Sequence, residues 1–195
     1  MIEYEPDPIK KFKLLYHKFA KCNVPETSAV TLATATADGK HSVRVVLLKG
    51  FDSQGFVFYT NLESRKATEL RANPHAALCF YWEAIHFQVR VEGRVQQVTD
   101  AEADAYFATR PRGSQIGAWA SKQSTQIQDK NELVNRFQEY EQKFAGQAVP
   151  RPAFWSGYRV IPERIEFWER RENRLHERIL YIRHNNAWNI RRLFP

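Results

Sequence analysis

The sequence predicts a mainly β protein in which a mostly antiparallel sheet or small barrel is flanked by helices. Three observations carry that prediction: short β-rich runs are joined by hairpin turns, helices are inserted between groups of strands, and the alternation of a parallel sheet is missing. With 195 residues, 43% hydrophobic and 13% aromatic, the chain can bury a sizeable core. A single domain over 1–195 is expected, with a helical segment at 1–25 and C-terminal strands at 150–195.

Asp7-Pro8 supplies an N-cap and a first helical position, and Ile9, Phe12, Leu15, Tyr16 and Phe19 recur behind it at helical spacing. The pattern then changes. "SAVTLATAT", an Asp38-Gly39 turn and "HSVRVVLLKGF" form a hairpin signal, and a turn at "DSQG" leads into "FVFYTN". "LESRKATELRANP" reads as a short helix capped by Ser64 and stopped by Asn73-Pro74.

Strands follow at "AALCFYW" and "IHFQVRVEGRVQQV", where Phe87, Val89 and Val91 alternate with Gln88, Arg90 and Glu92. Thr99 and Glu102 make a capping box for the helix "DAEADAYFATRP". The Gly- and Ser-containing stretch "RGSQIGAWASKQST" joins it to a longer helix, "DKNELVNRFQEYEQKF". After the loop "GQAVPRP" come four strands, "SGYRVIP", "RIEFWE", "RLHERILYIR" and "AWNIRRL", the last two separated by His184-Asn185-Asn186.

Lys and Arg number 29 against 22 Asp and Glu, a net +7 that favours an anionic ligand. The charges are interspersed, without the blocks of a nucleic-acid tail, and Phe56, Phe58, Trp82 and Phe87 sit where core packing is the expected use, so no nucleic-acid partner is expected. Acids and a proline occupy the N-terminus where a secretory signal has its apolar core, and no run suits a membrane span, so the expected place is the cytoplasm, away from membranes. Cys22 and Cys79 have no metal-ligand spacing and the histidines make no HxxxH pattern, so no metal is expected.

Four donor sets suit an anion. As a strand, "RLHERIL" puts Arg174, His176 and Arg178 on one face; a solvated strand face is the competing reading. In "SRK", Arg65 and Lys66 open a helix, where cations are locally unfavourable unless a phosphate compensates them. Arg44 and Lys49, five apart in "RVVLLKG", face opposite ways unless a bulge intervenes. "YFATRPRGSQIGAW" gathers Tyr106, Arg110, Arg112 and Ser114 at a helix end and the following loop, with Tyr106 and Arg110 on one helix face. Without a Walker loop or GxGxxG, these sets suggest a phosphorylated cofactor, a phosphorylated substrate, or both.

The ordered set "RVVLLKG", "FVFYTNLESRKATEL", "YFATRPRGSQIGAWASKQS", "FWSGYRV", "IEFWE" and "RLHERILY" closely resembles the pyridoxamine 5'-phosphate oxidase family, from about Ala29 to Pro195. The resemblance implies a split β-barrel homodimer with FMN at the subunit interface. It carries flavin contacts to Arg44, Lys49, Tyr59, Thr60, Arg65, Lys66, Gln88, Gln123, Ser124, Trp168 and Arg178. Substrate-phosphate contacts fall on Lys49, Tyr106, Arg110 and Ser114, and the catalytic contacts to the substrate ring on Arg174 and His176.

The implied reaction oxidises pyridoxamine or pyridoxine 5'-phosphate at the 4'-carbon, with dioxygen reduced to hydrogen peroxide. A guanidinium, with its pKa above about 12, suits orientation and charge stabilisation better than proton abstraction, so that is the role expected of Arg174. Two rivals are a related flavin oxidase acting on a phenazine precursor and a non-enzymatic FMN or B6-phosphate binding protein. Where the family often has glycines after "FW", this chain has Arg170-Arg171, and it starts close to its first helix without the longer N-terminal arm of some members.

Overall fold

The computed structural model describes residues 5–185 and 187–195. Five helices lie among them: α1 (Pro8–Ala20), α2 (Arg65–Ala72), α3 (Asp100–Thr109), α4 (Arg112–Ala120) and α5 (Lys130–Lys143). The strands are β1 (Ala29–Ala35), β2 (His41–Leu47), β3 (Gly50–Asp52), β4 (Gly55–Asn61), β5 (His75–Trp82), β6 (Phe87–Gln97), β7 (Trp155–Glu169), β8 (Glu177–His184) and β9 (Ala187–Leu193). They form one curled, antiparallel split-barrel sheet in the order β2-β1-β5-β6-β7-β4-β3, with β8 and β9 continuing from β7.

The local signals act as their chemistry requires. Asp7 accepts from Ile9 N–H at 2.9 Å to start α1, and Thr99 with Glu102 closes a capping box on α3. Gly39, with φ of 83°, turns the chain from β1 into β2. Phe12 of α1 drops into the sheet and meets Phe51, Phe56 and Phe80 edge-on, each at 4.9 Å between ring centroids, and Trp82 at 5.3 Å. Phe56, Phe58, Trp82 and Phe87 are buried in this core, as their alternation predicts.

β7 organises the sheet. It pairs with β6 along one edge, and on its other edge with β4 through Trp155–Val160 and with β8 through Arg164–Glu169. The sequence reads two strands here because of Pro162. The structure makes them one, since a register shift at Glu92/Gly93 places Pro162 opposite Gly93 where the ladder is already broken. Gly157 lets the strand pass under Tyr59, whose ring carbon would lie 2.7 Å from any added Cβ.

Other expectations also change. "RGSQIGAWA" is helix α4, not a loop, so Ser114 lies in a helix; Pro111 sets it off from α3, and Arg110 leaves α3 as its C-cap with extended ψ of 145°. The Ser64 hydroxyl does not cap α2 but donates to Asn61 O at 2.7 Å. "RLHERIL" is not one strand. Asn173 and Arg174 adopt φ of 53° and 61°, which ends extended pairing, so β8 begins only at Glu177 and Arg174 and His176 sit in the turn before it. In the turn from β8 to β9, Asn186 lies outside the described residues. Among the described residues, no helix is long and apolar enough to cross a membrane.

Candidate functional site

A cavity of about 520 Å³ opens between β2, β4, α3 and α4, a size suited to a small-molecule ligand. Arg44, Lys49, Lys66 and Arg110 line it, together with Tyr59, Thr60, Tyr106, Ser114 and Gln123, and among the described residues no carboxylate does. Arg44 and Lys49 meet there although they are five apart: β2 ends at Leu47, and Lys49 N–H turns to bond Val57 O at 2.8 Å, outside the strand's alternation.

Lys66 shows what this wall lacks. Its ammonium donates to Thr60 Oγ1 at 3.0 Å, Ser64 Oγ at 3.2 Å and Gln123 Oε1 at 2.7 Å, all neutral acceptors. Burial, followed by repulsion from Arg44, lowers its pKa to about 8. Arg110 is similar: burial lowers its pKa, its guanidinium lies 4.8 Å over the Trp155 ring, and among the described residues its buried Nη1 has no hydrogen-bond partner. Tyr59 stacks on Tyr106 at 4.1 Å and on Trp155 at 5.3 Å, making an aromatic wall next to these cations. The donor set fits a phosphate group.

Glu69 of α2 supports the wall from behind. This 4%-exposed carboxylate accepts from Arg65 Nε at 2.8 Å, Arg44 Nη2 at 3.3 Å, Ser42 Oγ at 2.5 Å and Thr34 Oγ1. Burial opposes its charge, yet these bonds together outweigh burial and hold the pKa down at about 2. The sequence reading missed Glu69; its signal was the i,i+4 spacing from Arg65. Arg65 itself is largely exposed, and its backbone N–H is capped by Ser124 Oγ at 3.2 Å. Arg112, grouped with the donors on sequence, instead holds the carbonyls of Phe144 and Gln147 at 2.5 and 2.8 Å.

The remaining residues gather elsewhere. Gln88, Trp168 and Arg178 are successive cross-strand partners on β6, β7 and β8, hence one row on one face. Arg178 reaches Glu166 at 2.8 Å and Phe194 O at 3.0 Å. Trp168 faces the His176 ring at 4.5 Å, and with Arg174, Arg170, Arg171, His86 and Tyr81 they line a second, open cavity of about 810 Å³. Among the described residues none lines both cavities. Trp155 and Trp168 mark opposite ends of β7, a contour of about 40 Å at ~3.3 Å per residue.

Known proteins extend this picture. A family model described as pyridoxamine 5'-phosphate oxidase matches residues 17–144, and one described as the pyridoxine 5'-phosphate oxidase C-terminal dimerisation region matches residues 155–195. The chain is 56% identical over 190 residues to a pyridoxine/pyridoxamine 5'-phosphate oxidase of Myxococcus xanthus, covering 97% of this chain and 92% of that one. Among solved structures, PhzG from Burkholderia lata, in complex with tetrahydrophenazine-1-carboxylic acid, superposes with a TM-score of 0.94 at 32% identity, over 99% of this chain and 95% of that one. A pyridoxamine 5'-phosphate oxidase-related, FMN-binding protein of Nostoc punctiforme shares the fold with a TM-score of 0.77 at 17% identity, over 98% of this chain and all of that one.

Proposed function

The chain belongs to the pyridoxamine 5'-phosphate oxidase family, and from that premise we propose how its residues carry out the FMN-dependent oxidation of pyridoxamine and pyridoxine 5'-phosphates to pyridoxal 5'-phosphate. The observation that carries the assignment of roles is the cavity that, among the described residues, is lined by four cations and no carboxylate. Lys66, Arg44, Thr60 and Gln123 would hold the FMN phosphate in this cavity, with Lys49 and Tyr59 completing the wall and Arg65 and Ser124 beside it at the N-terminus of α2. Tyr106, Arg110 and Ser114, with Lys49, hold the substrate phosphate.

When bound, FMN supplies the two-electron acceptor that dioxygen reoxidises, with release of hydrogen peroxide. Arg174 and His176, which line the second cavity, would orient the substrate ring and stabilise charge at the 4'-carbon, and the row Gln88, Trp168 and Arg178 would contact the flavin. Since the two cavities sit at opposite ends of β7, each complete site draws its phosphate wall from one chain and its Arg174 turn from the partner of a homodimer. The fold also matches PhzG, which holds a carboxylic acid, but a carboxylate offers one charge and two oxygens where a phosphate offers more of both, so a wall of four cations suits the phosphate better.

The test is the visible spectrum of the purified protein, followed by pyridoxamine 5'-phosphate without oxygen. Bleaching of the flavin band, then peroxide on readmitting air, is expected. Flavin that stays oxidised with both B6 phosphates but bleaches with a reduced phenazine precursor would transfer the reading to the phenazine branch, and flavin that bleaches with neither would leave a binding protein.

FMN affinity should also weaken as pH rises through about 8, because Lys66 is charged below that value and loses its proton above it. A bound phosphate favours the charged form, so binding takes up a proton in that range. Fluorescence titrations at several pH values check this, with Lys66→Met expected to flatten the profile.

A further inference from the structure

The turn between β7 and β8 holds Arg174 and His176 in a costly conformation. Asn173 and Arg174 are consecutive non-glycine residues in the left-handed region, at φ of 53° and 61°. Each such residue costs on the order of 1 kcal/mol or more and persists only where its surroundings over-determine it. The strands at the base add a second problem, because Glu169 and Glu177 are direct cross-strand partners and like charges placed opposite each other repel.

Arg171 addresses both. Its Nη2 lies 2.9 Å from Glu169 Oε2 and 3.3 Å from Glu177 Oε1, between the two carboxylates. Its backbone N–H donates to His176 Nδ1 at 3.1 Å, across the turn. A further bond within the turn, Leu175 N–H to Glu172 O at 3.0 Å, fixes the backbone but neither ring nor strand base. Among the described residues Arg171 Nε is buried without a hydrogen-bond partner, so the guanidinium is held through its Nη2 end. Arg170 points elsewhere, to Glu83 at 3.2 Å.

We infer that Arg171 is a positioning residue: its guanidinium bridges the Glu169–Glu177 pair and closes the turn that presents Arg174, while its main chain fixes the His176 ring. With Nδ1 accepting, the neutral imidazole carries its proton on Nε2, and the ring keeps its place beside Trp168. The activity readout rests on the oxidase reading above; the tautomer does not.

Arg171→Ala in the holoenzyme should lower kcat about ten- to a hundredfold through misplacement of the turn, with FMN affinity, melting temperature and KM for pyridoxine 5'-phosphate near wild type. Arg171→Lys should recover most of the loss. Arg171→Ala combined with Glu177→Gln should recover part of it, since one of the opposed charges is gone. Nitrogen-15 spectra of the imidazoles should show His176 as the Nε2–H tautomer in the wild type and as a mixture in Arg171→Ala. Wild-type kcat with an unchanged His176 spectrum would overturn the inference, as would a loss that neither rescue relieves. Arg171→Gln, similar in length but uncharged, carries the same comparison if the alanine variant does not fold. A wild type without oxidase activity would sink the functional reading instead, leaving the His176 spectra to decide on Arg171.

Discussion

Arg174→Ala should slow turnover by about a hundredfold while leaving FMN bound, the effect expected when a group that orients the reacting ring is removed. Three observations set this apart from a structural role. Arg174 is exposed on the turn and lines the open cavity beside Trp168 and His176. Its guanidinium makes no hydrogen bond or ion pair with other described residues, so its removal disturbs no neighbour. Its left-handed backbone is equally available to alanine at a similar steric cost. Arg65→Ala is the counterpart: that side chain pairs with Glu69 beside the phosphate wall, and its loss should chiefly weaken FMN. Steady-state kinetics at saturating FMN, alongside cofactor titrations, separate the two. Equal loss of FMN in both variants would contradict the division of labour.

Glu69→Ala should damage stability and cofactor binding together. The carboxylate is 4% exposed and gathers two arginines and two hydroxyls, so its removal leaves Arg44 facing Lys66 without the negative charge between β1, β2 and α2. Breaking a buried ion pair from one side costs about 3 kcal/mol, at the lower end because both arginines reach solvent, or a fall in melting temperature of roughly 10 °C. The pH dependence gives a second check. The pKa of Glu69 is depressed to about 2 from 4.5, so its stabilisation is complete above 4.5 and is lost as pH falls toward 2. Acid unfolding of Glu69→Ala should therefore lack that component. Scanning calorimetry across this range, with Glu69→Gln as the neutral isostere, would show it, and a variant as stable as wild type at neutral pH would refute the account.

The architecture was legible where local chemistry and tertiary demand agree. Asp7, Thr99 with Glu102, and the Asp38-Gly39 turn did what their side chains and backbone freedom dictate, and the alternation through Phe87, Val89 and Val91 marks the buried face of β6. It misled where long-range packing overrides a local rule. Pro162 suggests a strand end, yet a bulge absorbs it; "RGSQIGAW" has loop composition, yet Ile116 and Ala120 are buried when it coils as α4. Of the candidate site, the phosphate wall was readable as separate donor sets, but not their convergence, because nothing local says that β2 ends at Leu47 and brings Lys49 beside Arg44. The turn at Asn173-Arg174 was unreadable for a different reason: an arginine in the left-handed region runs against its own backbone preference, and no residue type in "RENRLH" announces it.

The length of β7 has a genetic consequence. If one strand carries the phosphate wall at its start and the Arg174 turn at its end, defects in the two belong to different sites of a dimer. An Arg110→Ala chain and an Arg174→Ala chain, each strongly impaired alone, should complement when refolded together: in the mixed dimer one site collects both lesions and the other collects neither. Activity should then recover to about half of the wild-type value per mixed dimer, by simple counting of intact sites under two-fold symmetry.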